Sequence, residues 1–217
     1  MPATPSIAVF SDVICPWCFL GKRRLERALE QLGIGAAIRW LPFELNPRMP
    51  PEGMERPLYR ARKFGPDRAR QLDREMTARG LEEGISFAFE RIRRTPNTRK
   101  AHILIAHATS LGAGGAAAEA LFRAYFERAL DVGCADILAD LGGEIGLDRD
   151  AARAALDDAA LLTSVIAAEE EAARLDVSGV PFFIVDGAWA VSGAQPAAAW
   201  VDLLRRGANF GSEVPAG

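Results

Sequence analysis

Two cysteines separated by two residues, Cys15 and Cys18, constrain this chain more than any other feature. They follow the apolar run at residues 7–10 and open a helical pattern that begins with Pro16. Proline suits the first turn of a helix, because its φ is already helical and its missing N–H would have no intrahelical partner there. Cys15 is therefore predicted at a helix N-terminus, where the helix dipole and unpaired amide groups favour a thiolate. A thiolate attacks disulfides, and the spacing lets the two sulfurs open and close a disulfide of their own.

A structural zinc site is the main alternative use of such a pair. Zinc usually takes four ligands, and beyond the pair the chain offers only Cys134, His102 and His107. The two histidines are five residues apart, so a helix would rotate them roughly 140° from each other and off a common face. We therefore expect no metal site and interpret the pair as redox-active, with an inert structural pair as the remaining alternative. Cys134 is predicted to be a bystander, since small buried cysteines are common.

Composition narrows the class of protein. A hydrophobic fraction of 49% and a charged fraction of 25% are typical of a soluble globular protein. No stretch approaches the roughly 18 apolar residues that a membrane span needs, so we expect no membrane partner. Residues 1–6 carry no Lys or Arg, which argues against a signal peptide, and the few cysteines argue against a disulfide-stapled secreted domain. A cytoplasmic location is the expectation.

Charge is distributed unevenly along the middle of the chain. Basic residues outnumber acidic ones between residues 54 and 100, and the reverse holds between residues 131 and 177. A sequence pI of about 5.6 and the acids interleaved with the arginines argue against a nucleic-acid partner. A solvated helical face is the expected role of the basic segment, and steering of an acidic thiol or peptide toward the cysteines is the alternative.

Hydrophobic periodicity predicts a β-strand, a helix and a second strand at the beginning of the chain. The run at residues 7–10 is continuously apolar, as in strands covered on both faces. The helix runs from Pro16 to Gly33, and a strand at residues 38–41 ends at Pro42. These three elements form a βαβ unit.

Helical patterns fill most of the chain from there to residue 175, most clearly at residues 117–130 and then at 150–159 and 161–175. Strands at residues 182–185 and 189–191 flank Asp186-Gly187, a type I′ turn signal, and Pro196 opens a last helix. The predicted fold class is α/β. The arrangement resembles the thioredoxin fold with a large helical insertion between the βαβ unit and the C-terminal β-hairpin plus helix, as in the DsbA branch. We expect a discontinuous thioredoxin-like domain, residues 1–48 and 177–217, and a mainly helical insertion domain, residues 49–176.

Short motifs in order along nearly the whole chain resemble the FrnE-like subgroup of the DsbA family. They are residues 11–21 (SDVICPWCFLG), 43–47 (FELNP), 96–98 (PNT) with Ala101-His102, 121–126 (LFRAYF), 179–183 (GVPFF) and 192–196 (SGAQP). The resemblance implies a thiol-disulfide oxidoreductase with a nucleophilic Cys15, a resolving Cys18 and a cis-proline at Pro181. Pro16, Trp17 and Val180 are the implied supports of that site.

The resemblance also points to Asn97, Thr98 and His102 as residues that would line the substrate groove. Asp12, three residues before Cys15 and able to oppose its thiolate by like charge, is a further candidate for substrate contact. Each has a plainer alternative. Asp12 can end a loop, Asn97 or Thr98 can cap a helix, and His102 can be a satisfied structural histidine. The implied partners are a disulfide- or thiol-containing protein or a small thiol. No tightly bound cofactor is expected, and glutathione is the candidate redox co-substrate. The oligomeric state is not fixed by the sequence.

Two other functions compete with this one. The fold is similar to kappa-class glutathione transferases and 2-hydroxychromene-2-carboxylate isomerases, which bind glutathione but typically have a serine at the nucleophile position and no resolving cysteine. Both cysteines are present here, which favours the oxidoreductase. A non-catalytic chaperone or peptide-binding module that uses the same groove is the third possibility.

Overall fold

A computed structural model describes residues 4–210, with side chains as far as residue 206. Six strands and nine helices are present in this part of the chain. In chain order they are β1 (Ser6–Ser11), α1 (Pro16–Leu32), β2 (Ala37–Pro42), β3 (Met54–Glu55), α2 (Arg56–Phe64), α3 (Pro66–Glu82), β4 (Arg94–Thr95), α4 (Arg99–Ser110), α5 (Gly114–Phe126), α6 (Ala135–Glu144), α7 (Arg149–Ala155), α8 (Ala159–Arg174), β5 (Phe182–Val185), β6 (Trp189–Ser192) and α9 (Ala197–Phe210).

The main sheet has four strands in the order β2-β1-β5-β6. β1 pairs in parallel with β2 and antiparallel with β5, and β5 pairs antiparallel with β6. Helix α1 connects β1 to β2, and α2 to α8 lie between β2 and β5 in the chain. The predicted α/β fold, with a βαβ unit, a helical insertion and a final hairpin and helix, is confirmed. β1 is central, and its carboxyl end leads directly into the two cysteines.

Local sequence signals explain where several elements end. Gly33 follows α1 with φ 63°, a left-handed conformation that glycine adopts without a Cβ penalty. Asp186 and Gly187 connect β5 to β6 with φ values of 51° and 67°. Positive φ at both positions is the requirement of a type I′ turn, as the sequence predicts.

The helix predicted at residues 117–130 is wrong at its carboxyl end, since α5 stops at Phe126. Ala129 has φ 57°, and Leu130 N–H donates to the Ala124 carbonyl at 2.8 Å, closing a turn across the helix end. The apolar pattern continues past this turn because Leu130 still packs on the core. Strands β3 and β4 were not predicted, since two residues are too few to show alternation.

The hydrophobic core runs across the predicted boundary between the thioredoxin-like part and the insertion. Phe19 of α1 stacks on Phe122 of α5 with ring centroids 5.3 Å apart, and Phe122 meets Trp40 of β2 edge-on at 5.9 Å. Phe19 and Phe122 are fully buried. Aromatic pairs in such geometries stabilise beyond the area they bury. The insertion therefore packs directly on the helix that carries the cysteines.

A second contact between α1 and α5 is ionic. Glu119 of α5 accepts Lys22 Nζ at 2.7 Å and Arg23 Nη1 at 3.0 Å. Lys22 is buried, so this cation needs the carboxylate as its partner. Burial opposes ionisation of Glu119, but the hydrogen bonds and charges of Arg23 and Lys22 outweigh it and lower its pKa to about 2.

Glu119→Gln is expected to destabilise the protein in a pH-dependent way. A folded pKa of about 2, below the ordinary value of 4.5, means that the carboxylate stabilises the fold above pH 4.5 and loses this effect as the pH falls toward 2. After allowance for solvent screening, we expect a loss of about 1–2 kcal/mol at pH 7 that shrinks below pH 4.5. Urea unfolding across pH 3–7 measures it. Glu144→Gln, which removes an exposed pair with Arg128, is the control, and an equal effect of both variants would contradict the assignment.

Candidate active site

Cys15 is the N-cap residue of α1. Its backbone is extended, with φ −90° and ψ 111°, and Pro16 occupies the first helical turn. The Cys15 carbonyl accepts Cys18 N–H at 3.0 Å, so the second cysteine lies one helical turn further on. No side chain forms a capping hydrogen bond, so Cys15 lies at the end of the helix where backbone N–H groups lack intrahelical partners. This is the electrostatic setting in which a cysteine becomes a nucleophile.

The two cysteines differ in their surroundings. Both are unbonded thiols, Cys15 with 5% of its surface exposed and Cys18 with 1%. Burial, and then the hydrogen bond and charge of Cys15, raise the pKa of Cys18 well above its ordinary value, although a hydrogen bond from the Asp12 backbone opposes this. Cys18 is therefore the thiol that holds its proton, behind a neighbour that borders the open cavity.

The turn before β5 lies against Cys15. The Val180–Pro181 peptide bond is cis, and Cys15 Sγ donates to the Val180 carbonyl at 3.6 Å. Gly21, one turn after Cys18, allows this approach, since a Cβ on Gly21 would lie 3.0 Å from Pro181 Cγ and 3.3 Å from Phe183 Cζ. Gly21 belongs to the motif at residues 11–21, but nothing local in the sequence indicates this contact. Residues 179–183 and residues 11–21, two motifs far apart in the sequence, are therefore in contact.

A cavity of about 380 Å³ opens beside the cysteines. One side consists of Cys15, Pro16, Trp17 and Val180. The opposite wall comes from the insertion, mainly from α2 and α3, and is both aromatic and cationic: Arg56, Tyr59, Arg60, Lys63, Phe64, Met76, Arg79 and Phe89. The volume suits a small molecule or a few residues of a peptide.

The cations of this wall fall into two pairs. Arg56 and Arg60 both bind Asp73, at 2.9 Å and 2.6 Å. Burial, together with the charge of Arg56, lowers the pKa of the Arg60 guanidinium, even though Asp73 opposes this. Lys63 and Arg79 have no carboxylate within 4 Å among residues 4–206.

Lys63 and Arg79 instead contact aromatic side chains. The Lys63 ammonium donates to Tyr59 Oη at 2.8 Å, and the Arg79 guanidinium lies 5.1 Å from the Trp17 ring centroid. The basic segment is apparent in the sequence, but its position at the cavity beside Cys15 is not. That placement follows from how α2 and α3 fold back on the cysteines, which periodicity does not reveal.

Asp12 and His102 lie behind the cysteines rather than on the cavity wall. Asp12 is fully buried and His102 is 2% exposed. Asp12 Oδ2 accepts Leu45 N–H at 2.8 Å, and Asp12 Oδ1 is 3.6 Å from His102 Nε2. Neither side chain can touch substrate in this arrangement. The two predicted residues are nevertheless neighbours, although they are far apart in the sequence.

Asn97 and Thr98 precede α4. Asn97 Oδ1 accepts Arg99 N–H at 3.0 Å, and its amide donates to the Met49 carbonyl at 2.7 Å. Thr98 is 4% exposed and occupies the N-cap position without a side-chain capping bond. Asn97 therefore caps the first turn of α4 through its side chain, and Thr98 is a buried residue of the same turn.

Neither a metal-binding cluster nor a membrane-spanning helix is present in the part of the chain that the structure describes. No group of three His, Cys, Asp or Glu side chains is placed to hold a metal ion there. No helix in that part has the length and apolar character needed to cross a membrane. Cys134 is exposed at the start of α6, so the prediction of a small buried bystander is wrong about its burial.

The chain matches one protein family by sequence and several solved structures by fold. The family model for the DSBA-like thioredoxin domain matches residues 6–205. A probable DsbA oxidoreductase from Streptomyces coelicolor superposes with a TM-score of 0.86 at 32% identity, covering 98% of this chain and 93% of that one. A 2-hydroxychromene-2-carboxylate isomerase gives 0.73 at 15% identity, covering 97% and 100%. The cytosolic disulfide reductase DsbM from Pseudomonas aeruginosa, solved with GSH, gives 0.62 at 20% identity, covering 94% and 99%.

Proposed function

Because the chain belongs to the DSBA-like thioredoxin domain family, we propose that it is a thiol-disulfide oxidoreductase that works through Cys15 and Cys18. One observation carries the proposal. Cys15 begins α1 beside an open cavity, and Cys18 lies directly behind it as a buried thiol. This is the order that a nucleophile and a resolving cysteine require.

The reaction uses the two sulfurs in sequence. The Cys15 thiolate attacks one sulfur of a substrate disulfide, forming a mixed disulfide and releasing the other half as a thiolate. Cys18, as thiolate, then attacks Cys15 Sγ. The bond between Cys15 and the substrate breaks, the substrate leaves as a thiolate, and the Cys15–Cys18 disulfide retains the oxidising equivalents. A reducing thiol reverses these steps.

The Val180–Pro181 turn supports docking of an extended substrate in this proposal. Pro181 has no N–H that could compete for acceptors near the sulfurs. The backbone of Val180 is close enough to Cys15 to accept its thiol hydrogen, so a peptide that reaches Cys15 also reaches this backbone. Main-chain pairing there would give affinity without dependence on sequence.

The size and cationic side chains of the cavity favour a small anionic thiol as one partner. We propose glutathione or a similar acidic thiol. Lys63 and Arg79 lack a carboxylate partner among residues 4–206, and both line the cavity that Cys15 also lines. A substrate carboxylate would pair with them while its sulfur reaches Cys15. The fold shared with DsbM, which was solved with GSH, agrees with this choice. We also propose a cytoplasmic location, where such thiols keep disulfides reduced.

Turnover assays test the proposal directly. The reduced protein should reduce both glutathione disulfide and insulin, and activity with both should require Cys15. A glutathione-dependent isomerase, the second candidate suggested by the shared fold, needs no disulfide to form. It would therefore keep its activity in Cys18→Ser, whereas oxidoreductase turnover would stop.

Lys63→Gln and Arg79→Gln should each raise the KM for glutathione disulfide about 3- to 10-fold, the effect of losing an ionic contact of about 1 kcal/mol. The uncharged substrate 2-hydroxyethyl disulfide should show no change. Arg62→Gln and Arg74→Gln are the matched controls, because these exposed cations lie on the same two helices but do not line the cavity. Equal effects of all four variants, or an unchanged KM in the first two, would remove the anionic-substrate part of the proposal.

A further inference from the structure

The C-terminal end of α3 is held against α1 by charged side chains. Glu83, directly after α3, binds Arg24 Nε at 2.7 Å and Arg27 Nη1 at 2.9 Å. The Glu83 side chain is 8% exposed and that of Arg24 is 15% exposed, so this pair is largely shielded from water. A shielded carboxylate needs its cationic partners, because water cannot replace them. The contact between α1 and α3 at this point therefore depends on Glu83.

Arg24 extends this contact to the backbone next to the cis-proline. Its Nη1 atom donates to the Ala194 carbonyl at 2.7 Å. Gly193, the residue before Ala194, donates its N–H to the Pro181 carbonyl at 2.8 Å. Three parts of the site therefore meet at one guanidinium group: the helix that carries the cysteines, the end of α3 and the loop that is bonded to Pro181.

Arg79 lies one helical turn before Glu83. The Glu83 N–H still donates to the Gly80 carbonyl at 2.9 Å, so the side chains of residues 79 and 83 lie on the same face of α3. The Arg79 guanidinium is 5.1 Å from the Trp17 ring centroid, and both residues line the cavity together with Cys15. The end of α3 therefore contacts α1 twice, once through Glu83 and once through Arg79.

We propose that Glu83 is a positioning residue, which holds the end of α3 so that Arg79 stays at the cavity beside Cys15. This inference rests on the proposed function, in which Arg79 pairs with a carboxylate of the substrate. Glu83 does not line the cavity, so its effect on substrate selection passes through Arg79. Selection for anionic disulfides is accordingly a property of the contact between α1 and α3 as well as of the cation itself.

Apolar packing at Gly80 is a second contact of the same helix end. A Cβ on Gly80 would lie 2.5 Å from Phe87 Cδ2, so α3 lies directly against this ring. Phe87 in turn meets Phe19 of α1 edge-on, with ring centroids 6.2 Å apart. Apolar contact is non-directional, whereas an ion pair between Glu83 and two arginines fixes the direction of the helix end. Substitution of Glu83 separates the two contributions, because it leaves the packing in place.

Stoichiometric reaction of Cys15 with two disulfide reagents measures this positioning without requiring turnover. The reagents are the dianion 5,5′-dithiobis(2-nitrobenzoate) and the uncharged 2,2′-dithiodipyridine, used in a Cys18→Ser, Cys134→Ser background so that one thiol reacts. Glu83→Gln and Arg79→Gln should each slow the reaction with the dianion about 3- to 10-fold, the effect of one ionic contact, and leave the reaction with the uncharged reagent unchanged. The double variant should be no slower than Arg79→Gln alone, because both substitutions remove the same contact.

The sign of the effect distinguishes positioning from simple charge. Loss of the Glu83 carboxylate removes a negative charge from the end of α3, which by itself would accelerate the reaction with a dianion. Glu82→Gln is the matched control, because it removes the same charge from the adjacent, exposed side chain and keeps the backbone carbonyl that accepts Arg27 Nη2 at 3.3 Å. It should slow neither reagent. Glu83→Asp keeps the charge but shortens the side chain by one methylene, and it should also slow the reaction with the dianion alone.

An unchanged or faster reaction of Glu83→Gln with the dianion would overturn the inference, since packing at Gly80 would then suffice; if this variant does not fold, an unchanged rate in Glu83→Asp overturns it instead. Equal slowing with both reagents, or a double variant slower than Arg79→Gln, would also overturn it, because Glu83 would then act independently of Arg79. An unchanged rate in Arg79→Gln would contradict the proposed anion contact and this inference together. Absence of turnover with glutathione disulfide and insulin would contradict the oxidoreductase function but not the positioning role of Glu83.

Discussion

Replacing Cys15 by Ser should abolish thiol-disulfide exchange, whereas replacing Cys18 by Ser should preserve the first attack and stop the reaction at a mixed disulfide. The difference follows from position. Cys15 is the N-cap residue of α1 beside the cavity and is the sulfur proposed to meet substrate, while Cys18 is buried behind it. A serine hydroxyl at either position is far too weak a nucleophile to replace a thiolate at neutral pH. We expect turnover to fall at least about 1,000-fold in both variants.

Mass spectrometry after incubation with glutathione disulfide distinguishes the two variants. Cys18→Ser should carry one glutathione on Cys15, and Cys15→Ser should carry none at position 18. Cys134→Ser is the control and should retain full turnover, since Cys134 is exposed just before α6 and does not line the cavity. Turnover that survives Cys15→Ser, or a Cys18→Ser protein that accumulates no adduct, would show that the two roles are misassigned.

Phe122→Ala should destabilise the protein by about 3–5 kcal/mol, the loss expected when a large buried aromatic side chain is removed. Phe122 is fully buried, stacks on Phe19 at 5.3 Å and meets Trp40 at 5.9 Å. It joins the insertion to the helix that carries the cysteines and to the neighbouring strand. The cavity left behind cannot collapse easily, because the two surrounding rings belong to two different elements, α1 and β2. Leu81→Ala, with a side chain 65% exposed, is the control and should cost little.

Two probes of unfolding show whether the insertion and the thioredoxin-like part unfold together. The tryptophans are Trp17, Trp40, Trp189 and Trp200, all outside residues 49–176, whereas most helices lie inside that range. Fluorescence therefore reports one part and circular dichroism mainly the other. The shared core predicts coincident transitions in urea, both shifted to lower concentration in Phe122→Ala. Separate transitions would show that residues 49–176 form an independent folding unit.

Sequence patterns predicted the fold wherever a local rule determines the backbone. The continuous apolar run of β1, the left-handed Gly33 and the Asp186-Gly187 turn each have a conformation set by their own residues. The end of α5 was mispredicted because the apolar pattern reports burial, and Leu130 stays buried after the helix has ended. Membership of the DSBA-like family is confirmed, and the FrnE-like subgroup remains a prediction.

The site was only partly accessible from the sequence for the same reason. The position of Cys15 follows from its neighbours, and Val180 and Pro181 came from the family resemblance. Lys63 and Arg79 face Cys15 only because α2 and α3 fold over the cysteines, which is a tertiary property. The burial of Asp12 and His102 likewise depends on helix α4 packing behind the motif. Both were selected as candidate residues, yet nothing local indicated that they would be neighbours.

Redox titration in glutathione buffers shows directly whether Cys15 and Cys18 form a reversible disulfide. The protein is equilibrated over a wide range of glutathione to glutathione disulfide ratios, quenched in acid and analysed by mass. We expect a single two-electron transition that forms the Cys15–Cys18 disulfide and leaves Cys134 outside it. Its midpoint should lie between about −120 and −270 mV, the span of known enzymes of this chemistry. A pair that forms no intramolecular disulfide at any ratio would contradict the proposed function.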